Sequence, residues 1–246
     1  MEIYNEFAHI YDTLMEDVDY GKWYDYIKRI FENNNISPKN ILEIACGTGN
    51  FTKFLCKDGY NVTCFDISED MLSVAYDKLK DYKNVTILKQ DMIDFNINIR
   101  YDAILSICDS INYITDLKNL KNSFENVYSH LKDGGIFIFD INSYHKLSKI
   151  LGDNTYVDEQ NDIFYVWENF FDDTNKICEF YLNFFIKKGN NKYKRIQETH
   201  IQKAYTVEEI VSTLNQVGFN TIEVYESFTF KPPRKSSERI NFIAKK

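Results

Sequence analysis

The chain has 246 residues, of which 44% are hydrophobic, 27% charged and 16% aromatic, and its formal net charge is -8. This is the balance of a folded globular protein, one large domain or a domain with an appended module, and it excludes a disordered chain. The acidic surplus opposes a phosphate backbone, and the short basic cluster Lys231, Arg234, Lys235 and Arg239 is too small to reverse it, which argues against nucleic acid as a partner. No run approaches the roughly 20 apolar residues of a membrane helix, and the start, Met1-Glu2-Ile3-Tyr4-Asn5-Glu6, lacks a basic-then-apolar signal pattern, so a cytoplasmic location is expected with no membrane partner.

In chain order, Trp23, Ile27, Ile30 and Phe31 recur at helical spacing and predict an amphipathic helix from about Tyr20 towards Asn34, stopped by Asn33-Asn34-Asn35 and Ser37-Pro38. Short apolar runs follow as predicted strands: Ile41 to Ala45, Val62 to Phe65, Val85 to Leu88, Ala103 to Ile107 and Ile136 to Phe139. Helical patterns lie between them near Phe51–Lys57, Glu69–Lys80 and Leu117–Leu131. Such alternation specifies a mostly parallel sheet with helices on both faces. From about Asp153 to Tyr205 the pattern changes to aromatic-rich alternation, including Ile163 to Trp167 and Phe180 to Ile186, punctuated by Asp172-Asp173-Thr174-Asn175 and Gly189-Asn190-Asn191. These hairpin signals predict a small inserted antiparallel sheet over 144–204, flanked by a core built from 1–143 and 205–246. Thr206 and Glu209 form a capping box for a helix through Val217 that Gly218 ends. Thr221–Tyr225 and Ile240–Ala244 then close the main sheet across the Pro232-Pro233 region.

Five cysteines, Cys46, Cys56, Cys64, Cys108 and Cys178, are scattered with no C-x-x-C pair and no histidine at ligand spacing. They read as small core residues, and neither a disulfide framework nor a metal site is expected.

The chemistry concentrates at strand ends. Ile41 to Ala45 breaks into Cys46-Gly47-Thr48-Gly49-Asn50, where glycine lets the backbone turn sharply and approach a ligand closely. A dinucleotide fingerprint would need a third glycine where Thr52 stands, which lowers the dehydrogenase reading. Asp66 ends the second strand, where a carboxylate can accept hydrogen bonds from both ribose hydroxyls; the alternative is a loop residue before a helix that Ser68 caps. Asp91 ends the third strand and either accepts from an adenine amino group, with Met92 against the ring, or caps the next loop.

Taken together, these segments resemble the class I methyltransferases, whose fold is a seven-stranded sheet with a reversed last strand. The resemblance rests on Glu43-Ile44-Ala45-Cys46-Gly47-Thr48-Gly49, Asp66, Asp91-Met92, Cys108-Asp109-Ser110-Ile111-Asn112-Tyr113 and Leu131-Lys132-Asp133-Gly134-Gly135. It extends to Tyr11-Asp12-Thr13-Leu14-Met15 and Tyr20-Gly21-Lys22-Trp23, found in bacterial members of unassigned substrate, and more loosely to sugar N-methyltransferases. It implies S-adenosylmethionine as the cofactor. Glu43, Ala45, Gly47, Thr48 and Gly49 would line its methionine part, Asp66 and Ile67 its ribose and adenine, Asp91 and Met92 the adenine edge, and Cys108 and Asp109 the space beneath the sulfonium, with Met71 a further cofactor-binding residue. Tyr11 and Tyr20 would belong to an N-terminal helical lid, with Trp23 as core.

Methyl transfer is an in-line displacement in which positioning can supply roughly 7–11 kcal/mol. An acceptor that arrives as a protonated amine or a hydroxyl also needs a group to take its proton. Glu198, His200 and Gln202 share one face of a strand, so Glu198 and His200, with Asp109 by resemblance, are the catalytic candidates; a solvated strand face is the alternative. The expected reaction is methyl transfer to an N or O atom of a small molecule by a monomer or homodimer. RNA or protein methylation, a non-catalytic cofactor-binding protein and a nicotinamide oxidoreductase are the competing readings.

Overall fold

Seven strands form one sheet in a computed structural model of the chain, which describes residues 3–189 and 192–246 and, within the first helix, no side chain at positions 3–6 and 9. The strands are β1 (Asn40–Ile44), β2 (Asn61–Asp66), β3 (Val85–Lys89), β4 (Tyr101–Ser106), β5 (Leu131–Asn142), β10 (Thr221–Glu226) and β11 (Arg239–Lys245), in the spatial order β10-β11-β5-β4-β1-β2-β3. Every border among β1 to β5 is parallel, whereas β11 runs antiparallel to both β5 and β10. The reversed strand is therefore last in the chain but interior in the sheet. Its composition explains the position: Ile240, Asn241, Phe242, Ile243 and Ala244 are all buried, the pattern of a strand covered on both faces.

Helices α2 (Tyr20–Asn33), α3 (Thr52–Lys57) and α4 (Glu69–Leu79) cover one face, and α5 (Leu117–His130) and α6 (Val207–Val217) cover the other. α2 turns Trp23, Tyr26, Ile27, Ile30 and Phe31 inward, each such burial stabilising by about 1.5–3 kcal/mol. The expected capping box is present, with Glu209 N–H 3.2 Å from Thr206 Oγ1 and Thr206 N–H 2.8 Å from Glu209 Oε2. β5 is much longer than the apolar run Ile136 to Phe139 indicates. It begins directly after α5, passes a register shift opposite Tyr101 and Ala103, and continues through the buried polar residues Asp140 and Asn142. Gly135 sits at the irregularity, where a Cβ would lie 2.8 Å from Lys132 O.

The segment between β5 and α6 forms a second sheet, β6 (Thr155–Gln160), β7 (Ile163–Asp172), β8 (Ile177–Lys187) and β9 (Tyr193–Lys203), an antiparallel meander in chain order. A π-helical turn, Lys146–Leu151, leads into it. Asp172 closes the first long hairpin by accepting from Thr174 N–H at 2.9 Å, as the turn signal predicts; Asn190 and Asn191 of the second turn lie outside the described residues. The first helix, α1 (Ile3–Leu14), lies against both α4 and β9, and its Phe7 and Ile10 share a cluster with Ile163, Phe184 and Ile196 of the meander. The apolar pattern in the sequence did not mark this helix. Among the described residues no helix is long and apolar enough to cross a membrane.

Candidate active site

β1 is flanked by β4 on one side and β2 on the other, so the chain order reverses there and leaves a crevice beyond the carboxyl ends of the strands, the usual ligand position in such sheets. The loop leaving β1 has three left-handed residues, Ala45 (φ 55°), Gly47 (φ 53°) and Gly49 (φ 75°). At Gly49 the need is doubled, because a Cβ would approach Leu79 Cδ1 to 2.9 Å and push α4 away. Asp66, at the end of β2, binds the loop from the other side: its Oδ2 accepts from Gly47 N–H and its Oδ1 from Ser68 N–H, each at 2.9 Å. Asp66 thus joins the glycine loop to the start of α4, and burial pushes its carboxyl above the ordinary range. Each of its oxygens retains a further lone pair for a ligand.

Glu43 is the most unusual group in the crevice. It is 2% exposed, its Oε2 has no hydrogen-bond partner, and burial, reinforced by Asp66, pushes its carboxyl up to about 8. A buried carboxyl of this kind is costly to ionise alone and becomes stable as an anion only beside a cation. Ile67 is 62% exposed at the rim, and Met71 lies in the first turn of α4, packed beside α1. Asp91 Oδ1 accepts from Ile93 N–H at 2.8 Å, so it does cap its loop, while Met92 packs into the core on the α5 and α6 side.

The end of β4 is held more tightly still. Cys108 and Asp109 are consecutive left-handed residues (φ 59° and 56°), a conformation costing about 1–2 kcal/mol per non-glycine residue. Asp109 N–H donates to Asp140 Oδ2 at 3.0 Å, and its carboxylate accepts from Arg239 Nη2 at 2.7 Å and Gln202 Nε2 at 2.8 Å. Arg239 also binds Asp140, and its guanidinium lies 5.8 Å over the Trp23 ring. Burial pushes the Asp140 carboxyl up to about 6 even with the arginine beside it. Arg239 is therefore no part of a surface basic cluster: it is part-buried at the start of the reversed strand and joins two carboxylates at the ends of β4 and β5.

α1 and α2 close the opposite wall. Asp12 accepts from Thr48 Oγ1 at 2.6 Å, Asn50 Nδ2 at 2.9 Å and Lys78 Nζ at 2.8 Å, which fastens α1 to the glycine loop and α4. Tyr11 is half-buried, near Tyr20, Cys108, Tyr113 and Asp109, and desolvation raises its hydroxyl well above the ordinary value. Tyr20 lies near Asn50, Cys108, Asp12 and Glu43, and burial raises it also. Trp23 is core, 3% exposed.

β9 completes the enclosure. Gln202 reaches Asp109, and its Oε1 accepts from Asn142 Nδ2 at 3.0 Å. His200 Nδ1 lies 3.2 Å from Tyr113 Oη, and its ring centroid is 5.9 Å from that of Phe7. Glu198 follows on the same face, 6% exposed, with Oε1 unpartnered and its carboxyl pushed by burial up to about 7. This face is buried, not solvated. The structure therefore gathers Tyr11, Tyr20, Glu43, the glycine loop, Cys108, Asp109, Tyr113 and His200 around one crevice, while Ile67, Asp91 and Met92 lie towards its rim and core margin. Sequence reasoning missed Asp12, Lys78, Asp140 and Arg239. Asp140 and Asn142 did leave a trace, as polar residues continuing the apolar run of β5; Arg239 left none.

A glycine loop at the switch point of a sheet in this order, with acids at the ends of successive strands and a reversed interior strand, defines the Rossmann-like, class I methyltransferase fold. The sequence profile of the methyltransferase domain matches residues 41–135. YqeM of Bacillus subtilis (strain 168), which carries a methyltransferase name, is 34% identical over 99% of this chain and 97% of its own length. The crystal structure of an S-adenosylmethionine-dependent methyltransferase from Clostridium acetobutylicum superposes with a TM-score of 0.88 at 41% identity, covering 98% of both chains. A dTDP-3-amino-3,4,6-trideoxy-alpha-D-glucopyranose N,N-dimethyltransferase from Streptomyces venezuelae is 27% identical over 54% of this chain and 56% of its own. The chain belongs to the S-adenosylmethionine-dependent methyltransferases, and S-adenosylmethionine is its cofactor.

Proposed function

We propose that the protein transfers the methyl group of S-adenosylmethionine to a nitrogen or oxygen of a small molecule held between the glycine-loop crevice and the inserted sheet. The observation that carries this reading is the pair of contacts from β9, Gln202 to Asp109 and His200 to Tyr113, which closes the space above the end of β4. An enclosure walled by α1 and roofed by a sheet suits a compact acceptor better than a polymer.

The residues fit the cofactor chemically. Glu43 supplies a buried carboxyl with one oxygen unpartnered for an ammonium, and Asp66 keeps free lone pairs for hydroxyl groups. Bound S-adenosylmethionine supplies an electrophilic methyl on a cationic sulfur.

Within this reading Tyr11, Phe7 and Tyr113 exclude water and orient the acceptor. His200 takes the acceptor's proton: burial lowers its pKa, so the imidazole is neutral and able to accept at neutral pH. Asp109 acts through position: the Arg239 ion pair and the Gln202 amide fix its carboxylate at the end of β4. Glu198 lies two residues further along β9, about 7 Å from His200 along the strand, and binds the acceptor away from the reacting atom.

S-adenosylhomocysteine release, measured with panels of small amines, alcohols and carboxylates and with bulk RNA, tests the reading. Turnover with a small amine or alcohol that falls in His200→Gln while cofactor affinity holds supports it. Turnover confined to RNA sinks it, and turnover restricted to carboxylates, which bring no proton to remove, overturns the role given to His200.

A further inference from the structure

Three polar groups of the inserted sheet are buried with no hydrogen-bond partner among the described residues: Trp167 Nε1, both polar atoms of the Asn169 amide, and Glu198 Oε1. They are not scattered. Leu182 of β8 pairs with Trp167 on one side and Glu198 on the other, and Phe180 pairs with Asn169 and His200 in the same way. Directly opposed residues of an antiparallel sheet point to the same face. The six side chains therefore form a grid, with polar groups on the two outer strands and apolar Leu182 and Phe180 between them. Two strand spacings separate the polar columns by roughly 9–10 Å.

This face is turned towards the crevice, since the same face of β9 carries Gln202 to Asp109 and His200 to Tyr113. α1 covers one end of the grid, where Phe7 meets His200 and Phe184, and the π-helical turn covers the other, where Leu147 and Leu151 share a cluster with Phe180. Buried polar groups are nearly always paired, so several orphans on one face call for a partner that the described residues do not provide.

We propose that this grid seats the methyl acceptor, and that the acceptor is a six-membered ring whose apolar face lies along Leu182 and whose edge bears hydroxyl or amino groups. The indole N–H donates to a ring-edge oxygen, the Asn169 amide both donates and accepts, and Glu198 accepts from a hydroxyl or an ammonium. An anionic edge is disfavoured by Glu198, and a purely apolar ring leaves all three groups orphaned. The proposal rests on the methyltransferase reading for the identity of the ligand as acceptor, but its binding test does not.

Glucosamine, glucose and myo-inositol are titrated into the protein, both alone and saturated with S-adenosylhomocysteine, following tryptophan emission and heat, with the open-chain amine glucamine as control. Saturable binding of at least one ring, roughly tenfold tighter than glucamine, abolished as an emission change in Trp167→Phe and weakened roughly tenfold in Glu198→Gln, is the expected result. Absence of saturable binding by all three rings at about 10 mM, or equal binding of glucamine, overturns it. Asn169→Leu gives a second, independent reading. An amide kept for a ligand is a liability in the free protein, so this variant should melt about 2–4 °C higher while losing ring affinity. A lower melting temperature would mean that the amide serves the fold, and would also overturn the proposal. Titration with S-adenosylmethionine alone separates the two readings: a failure there strikes the methyltransferase assignment and leaves the ring-binding result standing.

Discussion

Replacing Glu43 by glutamine should strengthen the free protein and weaken its hold on the cofactor, and the first effect should depend on pH in a defined direction. The carboxyl is pushed from its usual 4.5 to about 8 by burial. In the unfolded chain it ionises near 4.5, so between that pH and 8 only the unfolded state gains from losing the proton. Stability is therefore fully present below about 4.5 and is lost as pH rises towards 8, by about 1.4 kcal/mol per pH unit, reaching at most about 5 kcal/mol. Glu43→Gln carries no such penalty. Urea unfolding of both proteins at pH 5, 6.5 and 8 should give a stability difference that is small at pH 5 and grows steadily in favour of the variant. The cofactor acts in the opposite sense, because its ammonium needs the carboxylate. Affinity for S-adenosylmethionine should fall about 10- to 100-fold in the variant, given about 1.5–3 kcal/mol for a hydrogen bond to a charged group. Calorimetry of the wild type at pH 7 in phosphate and in Tris should reveal proton release on binding. A stability difference that is flat across pH, or binding with no proton release, refutes the reasoning.

Arg239→Met leaves the buried Asp140 and the part-buried Asp109 with Lys146 as the cation still facing them and should cost about 3 kcal/mol in urea unfolding; a loss below about 1 kcal/mol would show that Lys146 and Gln202 suffice to hold both carboxylates. Gly49→Ala should destabilise more than Gly47→Ala, since both are left-handed but only the former Cβ collides, 2.9 Å from Leu79; equal melting temperatures would contradict this. His200→Gln should leave cofactor affinity unchanged and lower turnover by about 100-fold or more, and it should remove the acid limb of the rate profile, which lies below pH 6.5 because burial lowers the imidazole. Lost cofactor affinity with intact turnover would reverse that division of roles. Lys78→Met removes a cation from Asp12, whose carboxyl stays low because hydrogen bonds from Lys78, Thr48 and Asn50 outweigh the upward push of burial. Faster hydrogen exchange in α1 is expected, and unchanged exchange would show that the ion pair does not hold the helix.

The division between what was legible in the sequence and what was not follows the range of the interactions involved. Strands β1 to β4, the glycine loop, the Ser68 cap, the Thr206 capping box and the acid at position 66 depend on neighbours within a few residues, and periodicity, caps and glycines report those neighbours directly. The cofactor class was readable for the same reason, since the loop and the acids that follow β1, β2 and β3 arrive in chain order at one edge of the sheet. The site's other half joins residues far apart in the chain: Arg239 with Asp109, His200 with Tyr113, Asp12 with Lys78, and Trp167, Asn169 and Glu198 on one face. An isolated arginine before a strand has no local signature that separates a surface cation from a buried clamp. Nor does alternation within β7 or β9 tell which face will be covered. Only the docking of the inserted sheet and of α1 onto the strand ends decides this, because burial and unpaired polar atoms are properties of the assembled space and not of any one segment.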